Sequence, residues 1–201
     1  RPQLLDARRG GGGAAPDGAQ EWNTISGYRS SATSWQHDAV MCVGTIGGNT
    51  RLCMVVQRPG TNDLASFVFD PNVASPAVGS ATAIPGTALS VGGWGSSNDR
   101  GVNMSLVALA ADSFLLTWTD TDDGSLKWKW TADFATWATP ASLGGYDGWL
   151  PRLMPDGAGS AQVFYMKDRT NLDDAYVIGR RLIDGSAVGN QDNLTQGTED
   201  A

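Results

Sequence analysis

The chain predicts an all-β protein assembled from blade-like, four-stranded antiparallel repeats of β-propeller type. Three observations lead there. The stretch from Val102 to Trp137 alternates apolar and polar residues with period two across short segments separated by turns, the pattern of half-buried strands in hairpins. The 201 residues include 26 glycines, and among the acids only Glu21 and Glu199 are glutamates. Gly and Asp favour turns whereas Glu favours helices, so this balance points to a turn-rich β protein. Finally, weaker versions of the central stretch occur before and after it, at a spacing of about 50 residues that suits propeller blades. One blade cannot bury both its faces, so blades must stack. A β-sandwich of hairpins is the alternative.

Residues 1–20 contain four consecutive glycines and little apolar material, and read as a flexible arm or linker. Residues 21–201 read as one β domain. After an irregular stretch holding Trp22, Tyr28 and Trp35, the first repeat (38–80) has strands at Val40–Ile46, Arg51–Gln57 and Leu64–Phe69. Asp70-Pro71 ends the third strand, and a weaker fourth segment follows. Residues 79–101 form a Gly/Ser/Ala-rich connection carrying Trp94.

The second repeat (102–143) is the clearest. Met104, Leu106 and Ala108 alternate in its first strand, Phe114, Leu116 and Trp118 in its second, and Leu126, Trp128 and Trp130 against Lys127 and Lys129 in its third. These tryptophans are expected in the core. The third repeat (149–197) has strands at Leu150–Met154, Ala161–Lys167 and Ala175–Leu182. An aspartate (Asp70, Asp133, Asp184) stands at the turn into each fourth strand.

Cys42 and Cys53 flank Gly47-Gly48. If those glycines form a two-residue hairpin loop, the cysteines lie directly opposite each other, within bridging distance. A cross-strand disulfide and a pair of buried free thiols are both open. Two cysteines with no neighbouring His or Cys do not make a zinc site.

Thr131-Ala132-Asp133-Phe134-Ala135-Thr136-Trp137 resembles a degenerate Asp-box, the S-x-D-x-G-x-T-W motif between the third and fourth strands of blades in sialidase-like propellers. Thr131 stands for Ser, Asp133 and Thr136-Trp137 match, Ala135 replaces Gly, and one residue is missing. The resemblance implies a structural role, with the Asp and the hydroxyl bonding turn amides and the Trp packing between strands. It implies no catalytic residue. Sialidase-like enzymes use an arginine cluster, a tyrosine nucleophile with a glutamate, and an acidic acid/base. Arg51, Arg100, Arg152 and Arg180 sit in no matching motif, and both glutamates lie outside the blades.

The formal net charge of −7 and the lack of a basic stripe argue against nucleic acid and against an anionic membrane surface. No apolar run is long enough to cross a membrane as a helix, so no membrane insertion is expected. Asp120, Asp122 and Asp123 form part of a calcium-loop pattern, but the distal ligands are missing, and a hairpin turn at Asp123-Gly124 explains them; no cofactor is expected. His37, the single histidine, has no G-x-S-x-G partner motif. Asp38, Asp99 and Asp147 precede first strands and could converge near an axis as paired carboxylates, or simply cap turns.

Aromatic residues in the inter-repeat loops are the most informative feature. Trp35, Trp94 and Trp149 each precede a first strand among Ser, Gly, Asp and Asn. Sugars present apolar C–H faces and hydroxyl edges, which suit a ring beside Asp and Arg. The alternative is that each Trp plugs the gap between blades. The expected ligand-binding set is Trp35, Trp94, Asp99, Arg100, Tyr146, Asp147, Trp149 and Arg152. These residues point to a non-catalytic module that binds a glycan or cell-surface ligand, secreted or displayed on a cell or virion. A structural subunit of a virion, tail or extracellular filament, forming a homo-oligomer or larger assembly, is the second reading. A fragment of a propeller glycosidase is the third.

Overall fold

The computed structural model describes residues 39–58, 63–72, 81–89, 103–120, 125–157, 159–167, 177–184, 187–190 and 192–193. All twelve named elements are strands. The first sheet comprises β1 (Ala39–Ile46), β2 (Asn49–Gln57), β3 (Leu64–Phe69) and β4 (Thr82–Ile84), hydrogen-bonded in chain order. Gly47 and Gly48 join β1 to β2 with φ of 56° and 77°, the two positive values that a type I′ hairpin turn needs and glycine adopts without a Cβ clash. The fourth strand lies at Thr82–Ile84, inside the stretch that the composition marks as connection. Its three residues are too few for periodicity to register.

The second unit contains β5 (Met104–Ala110), β6 (Ser113–Thr119), β7 (Ser125–Thr131) and the first part of β8 (Ala141–Pro155). β8 then passes on to pair with β9 (Ser160–Lys167), which pairs with β10 (Val177–Asp184). The short β11 (Ala187–Val188) and β12 (Asp192–Asn193) both pair with β10. One long strand thus closes the second unit and opens the third. Successive four-stranded antiparallel units in chain order make the fold all-β and of propeller type.

The units stack face to face. Between the first and second lie Cys53, Val55, Leu64, Ile84 and Leu89 against Met104, Leu106, Phe114, Leu116, Trp118 and Phe134. Between the second and third lie Leu115, Leu126, Trp128 and Leu143 against Ala161, Val163, Tyr165 and Ile183. Each such side chain taken fully out of water contributes about 1.5–3 kcal/mol. A smaller cluster of Met54, Val56, Ala65 and Phe67 occupies the other face of the first sheet. The hairpin turns of the first two units are also tied together. Gly47 N–H donates to Asp112 Oδ1 at 2.7 Å, and Asp112 N–H donates to Thr45 O at 2.9 Å.

Stacking on both sides changes the meaning of one alternation. Lys129 faces the opposite way from Trp128 and Trp130, as expected, yet it is 2% exposed. It is directly opposite Leu116 in the ladder, and Leu116 lies in the core shared with the first unit. Its Nζ crosses the gap to donate to Pro85 O, next to β4. Burial holds its pKa below the ordinary lysine value of 10.5. In the window between the lowered value and 10.5 the unfolded chain binds more protons than the native one, so stability rises with pH there. Lys129→Met, of similar volume, is expected to unfold at the same or a higher denaturant concentration at pH 7. It should also lack the alkaline rise in stability expected of wild type. Urea unfolding between pH 7 and 10.5 checks both, and an unchanged slope in the Met variant would refute the assignment.

The turn after β7 shows why its residues are there. Thr131 Oγ1 accepts from Phe134 N–H at 2.9 Å and donates to Thr136 O at 2.7 Å. Asp133 Oδ1 accepts from Ala135 N–H at 2.9 Å and Thr136 N–H at 2.7 Å. The Thr136 bond, with those from Ala135 and Thr131 behind it, holds the Asp133 carboxyl below the usual range despite some desolvation. Asp70 plays a similar part after β3, accepting from Asn72 N–H at 3.0 Å while pairing with Arg51 at 2.8 Å. Aspartate fits both places because its short carboxylate reaches the amide two residues on.

Candidate functional site

The first strands of the three units, β1, β5 and the second half of β8, run beside one another. A groove of about 280 Å³ opens along them, lined by Val40 and Met41 of β1, Met104, Ser105 and Leu106 of β5, and Arg152 of β8. Its walls combine aliphatic side chains with one hydroxyl and one guanidinium. Met41 is 61% exposed, so the groove is open to solvent on that side.

Arg152 owes its direction to a bulge. Trp149 is opposite Met166 and Arg152 is opposite Phe164, so three steps along β8 match two along β9. The extra residue reverses the facing of everything beyond it. Without it Arg152 would stand opposite Val163, which points into the core. The bulge places Leu150 at φ 53°, a left-handed backbone that costs a non-glycine residue about 1–2 kcal/mol. Two side chains from the second unit support it. Asn103 Oδ1 accepts from Leu150 N–H at 3.2 Å, and Ser105 Oγ accepts from Leu153 N–H at 3.0 Å. Arg152 Nη1 donates to Pro151 O at 2.7 Å, which fixes the base of the guanidinium.

Of the expected binding residues, Trp35, Trp94, Asp99 and Arg100 lie outside the described residues, as do Asp38 and His37. Tyr146, Asp147 and Trp149 lie on β8 just before the bulge. Asp147 is in register with Ser125, and Trp149 with Met166. The structure therefore brings Arg152 onto the same strand segment as Tyr146, Asp147 and Trp149, at the first strand of the third unit. Asn103, Ser105 and Met41 were not anticipated from sequence. The one available signal was the polar residue at every second place in VNMSL, which looks like ordinary strand alternation.

Asp120, the first residue of the calcium-like pattern, is buried. It accepts from Trp118 Nε1 at 3.3 Å and pairs with Lys127 Nζ at 3.4 Å. Asp122 and Asp123 lie outside the described residues. Among the described residues no group of three or more His, Cys, Asp or Glu is arranged to hold a metal. Among the described residues no carboxylate lines the groove; its lining offers aliphatic side chains, one hydroxyl and one guanidinium.

No protein-family model matches this chain, and no curated protein does. Among solved structures it is similar to the Penicillium chrysogenum alpha-L-arabinanase complexed with arabinobiose. The TM-score is 0.52 at 14% identity, over 80% of this chain and 50% of the arabinanase chain. The likeness is one of fold, and it agrees with the propeller-type architecture. The chain spans half the length of the arabinanase that it matches.

Proposed function

We propose that the protein is an extracellular or surface-displayed recognition module that binds a glycan at the groove along the first strands and at the loops beside it. The observation that carries this reading is the bulge, which turns Arg152 out of the core and into an open groove, a few residues along β8 from Tyr146, Asp147 and Trp149. The structural likeness to an arabinanase complexed with arabinobiose supports a carbohydrate as the ligand class. The Asp-box reading of residues 131–137 belongs to the same proposal, supported by the hydrogen bonds of that turn.

Titration with arabinobiose and with a panel of neutral and acidic oligosaccharides, followed by tryptophan fluorescence and calorimetry, tests it. Saturable binding of at least one sugar is expected, weakened about tenfold or more in Arg152→Ala, the cost of one charge-assisted hydrogen bond. No binding across the panel would overturn the proposal.

The arabinanase likeness also favours a second reading, a glycoside hydrolase using an acid such as Asp147, one of the aspartates that precede the first strands. Turnover of an oligosaccharide or aryl-glycoside that is abolished by Asp147→Asn would replace recognition with catalysis.

A further inference from the structure

We infer that Cys42 and Cys53 form an oxidisable cross-strand pair whose disulfide staples the groove-lining strand β1 to β2. The hairpin register sets Cys42 directly opposite Cys53. Counting in twos from the Ile46–Asn49 pair that closes the type I′ loop, the cysteines fall on a hydrogen-bonded position. Cα atoms there are about 5.5 Å apart, inside the window a disulfide spans. Directly opposite residues share a face, and both thiols point at the core between the first and second units, Cys53 fully buried within it and Cys42 partly buried against it. Both are free thiols in this structure.

The chemistry follows from exposure. Cys42, the more accessible sulfur, loses its proton and attacks a small-molecule disulfide, forming a mixed disulfide and releasing one thiol. Cys53, as thiolate, then attacks Cys42 Sγ and expels the second thiol. The protein gives up two electrons and two protons, and the small disulfide is reduced to two thiols. The hairpin is held in register throughout, so closure needs only side-chain rotation.

The consequence bears on the groove. β1 supplies Val40 and Met41 to its wall and carries Cys42 next to Met41. A bond to β2 would fix that wall.

The test uses the full chain incubated with glutathione disulfide, then thiol titration under denaturant and intact mass. The expected product loses both titratable thiols and the mass of two hydrogen atoms, carries no glutathione, stays monomeric without reductant, and recovers both thiols with dithiothreitol. It should also unfold at a higher urea concentration than the reduced form. Two thiols persisting after prolonged exposure, a stable glutathione adduct, or disulfide-linked dimers would each overturn the inference. Cys42→Ser should leave Cys53 reduced under the same conditions. If that variant acquires glutathione at Cys53, the buried thiol is reached directly and the relay through Cys42 is wrong.

Discussion

Gly44→Ala is expected to loosen the packing of the first unit on the second and to destabilise the protein by about 1–3 kcal/mol, the usual cost of overpacking a core. Ordinarily the change should help, since alanine in a strand loses less chain entropy than glycine, by roughly 0.5–1 kcal/mol. Space reverses the sign. A Cβ on Gly44 would lie 2.3 Å from Phe114 Cε1, 2.7 Å from Cζ and 3.0 Å from the Ala108 Cβ. Phe114 cannot swing away, because it is fully buried and stands edge-on to Phe134 at 4.8 Å. Gly44 therefore exists to let β1 approach β5 and β6. Urea unfolding monitored by tryptophan fluorescence measures the loss. Phe114→Leu should cost stability alone yet recover part of the Gly44→Ala penalty when combined with it, a coupling that additive behaviour would contradict. Stabilisation by Gly44→Ala would mean that the two units do not meet as closely as described.

The largest single loss is expected at Phe134. Its ring is 2% exposed and lies between Phe114, at 4.8 Å, and Trp137, at 5.4 Å, both edge-on. Its carbonyl accepts from Ser66 Oγ at 2.9 Å, so the turn after β7 is bonded into the first unit. Phe134→Ala should cost about 3–5 kcal/mol. The backbone supplies a second, sharper expectation. Phe134 has φ 62°, in the left-handed region where a side chain costs roughly 1–2 kcal/mol that glycine escapes. Phe134→Gly should then be no less stable than Phe134→Ala, the reverse of the usual order for strands and helices. Equilibrium unfolding of the two variants side by side decides it. If the glycine variant is clearly the weaker, the turn does not impose the left-handed conformation and the packing account alone remains.

Phe134 and Gly44 also show where sequence reasoning reached and where it stopped. The turn at 131–137 was legible because its side chains bond to their own local backbone, so residue type and spacing carry the geometry. Gly44 gave a fainter signal. It occupies an inward place in the alternation Val40, Cys42, Gly44, Ile46, where a missing side chain implies a close neighbour, but nothing local says which neighbour. The alternation marks Lys129 as the polar partner of Trp128 and Trp130 but says nothing of its burial, because a unit stacked on both sides has no wet face.

The groove was legible only in part. Arg152 and the aromatic run before it stood out by composition, yet the direction of Arg152 depends on one extra residue in a ladder with β9. Pro151 inside a strand is compatible with a bulge or an edge position, but nothing local says which, and a slip of one residue leaves the same letters and reverses every face. Asn103 and Ser105, which hold the bulge from a different unit, were indistinguishable from ordinary strand alternation.

By itself, then, the sequence determined the period-two strands, the Gly-Gly hairpin that sets Cys42 against Cys53, the aspartate-capped turns and the stacking of repeated units. These follow from interactions among residues a few places apart, or from the need to bury a sheet's second face. Tertiary structure alone decided the burial of Lys129, the contact of Gly44 with Phe114 and the turning of Arg152 toward solvent. Each of those depends on which unit lies against which face, and that is set by the summed packing of residues distant in the chain.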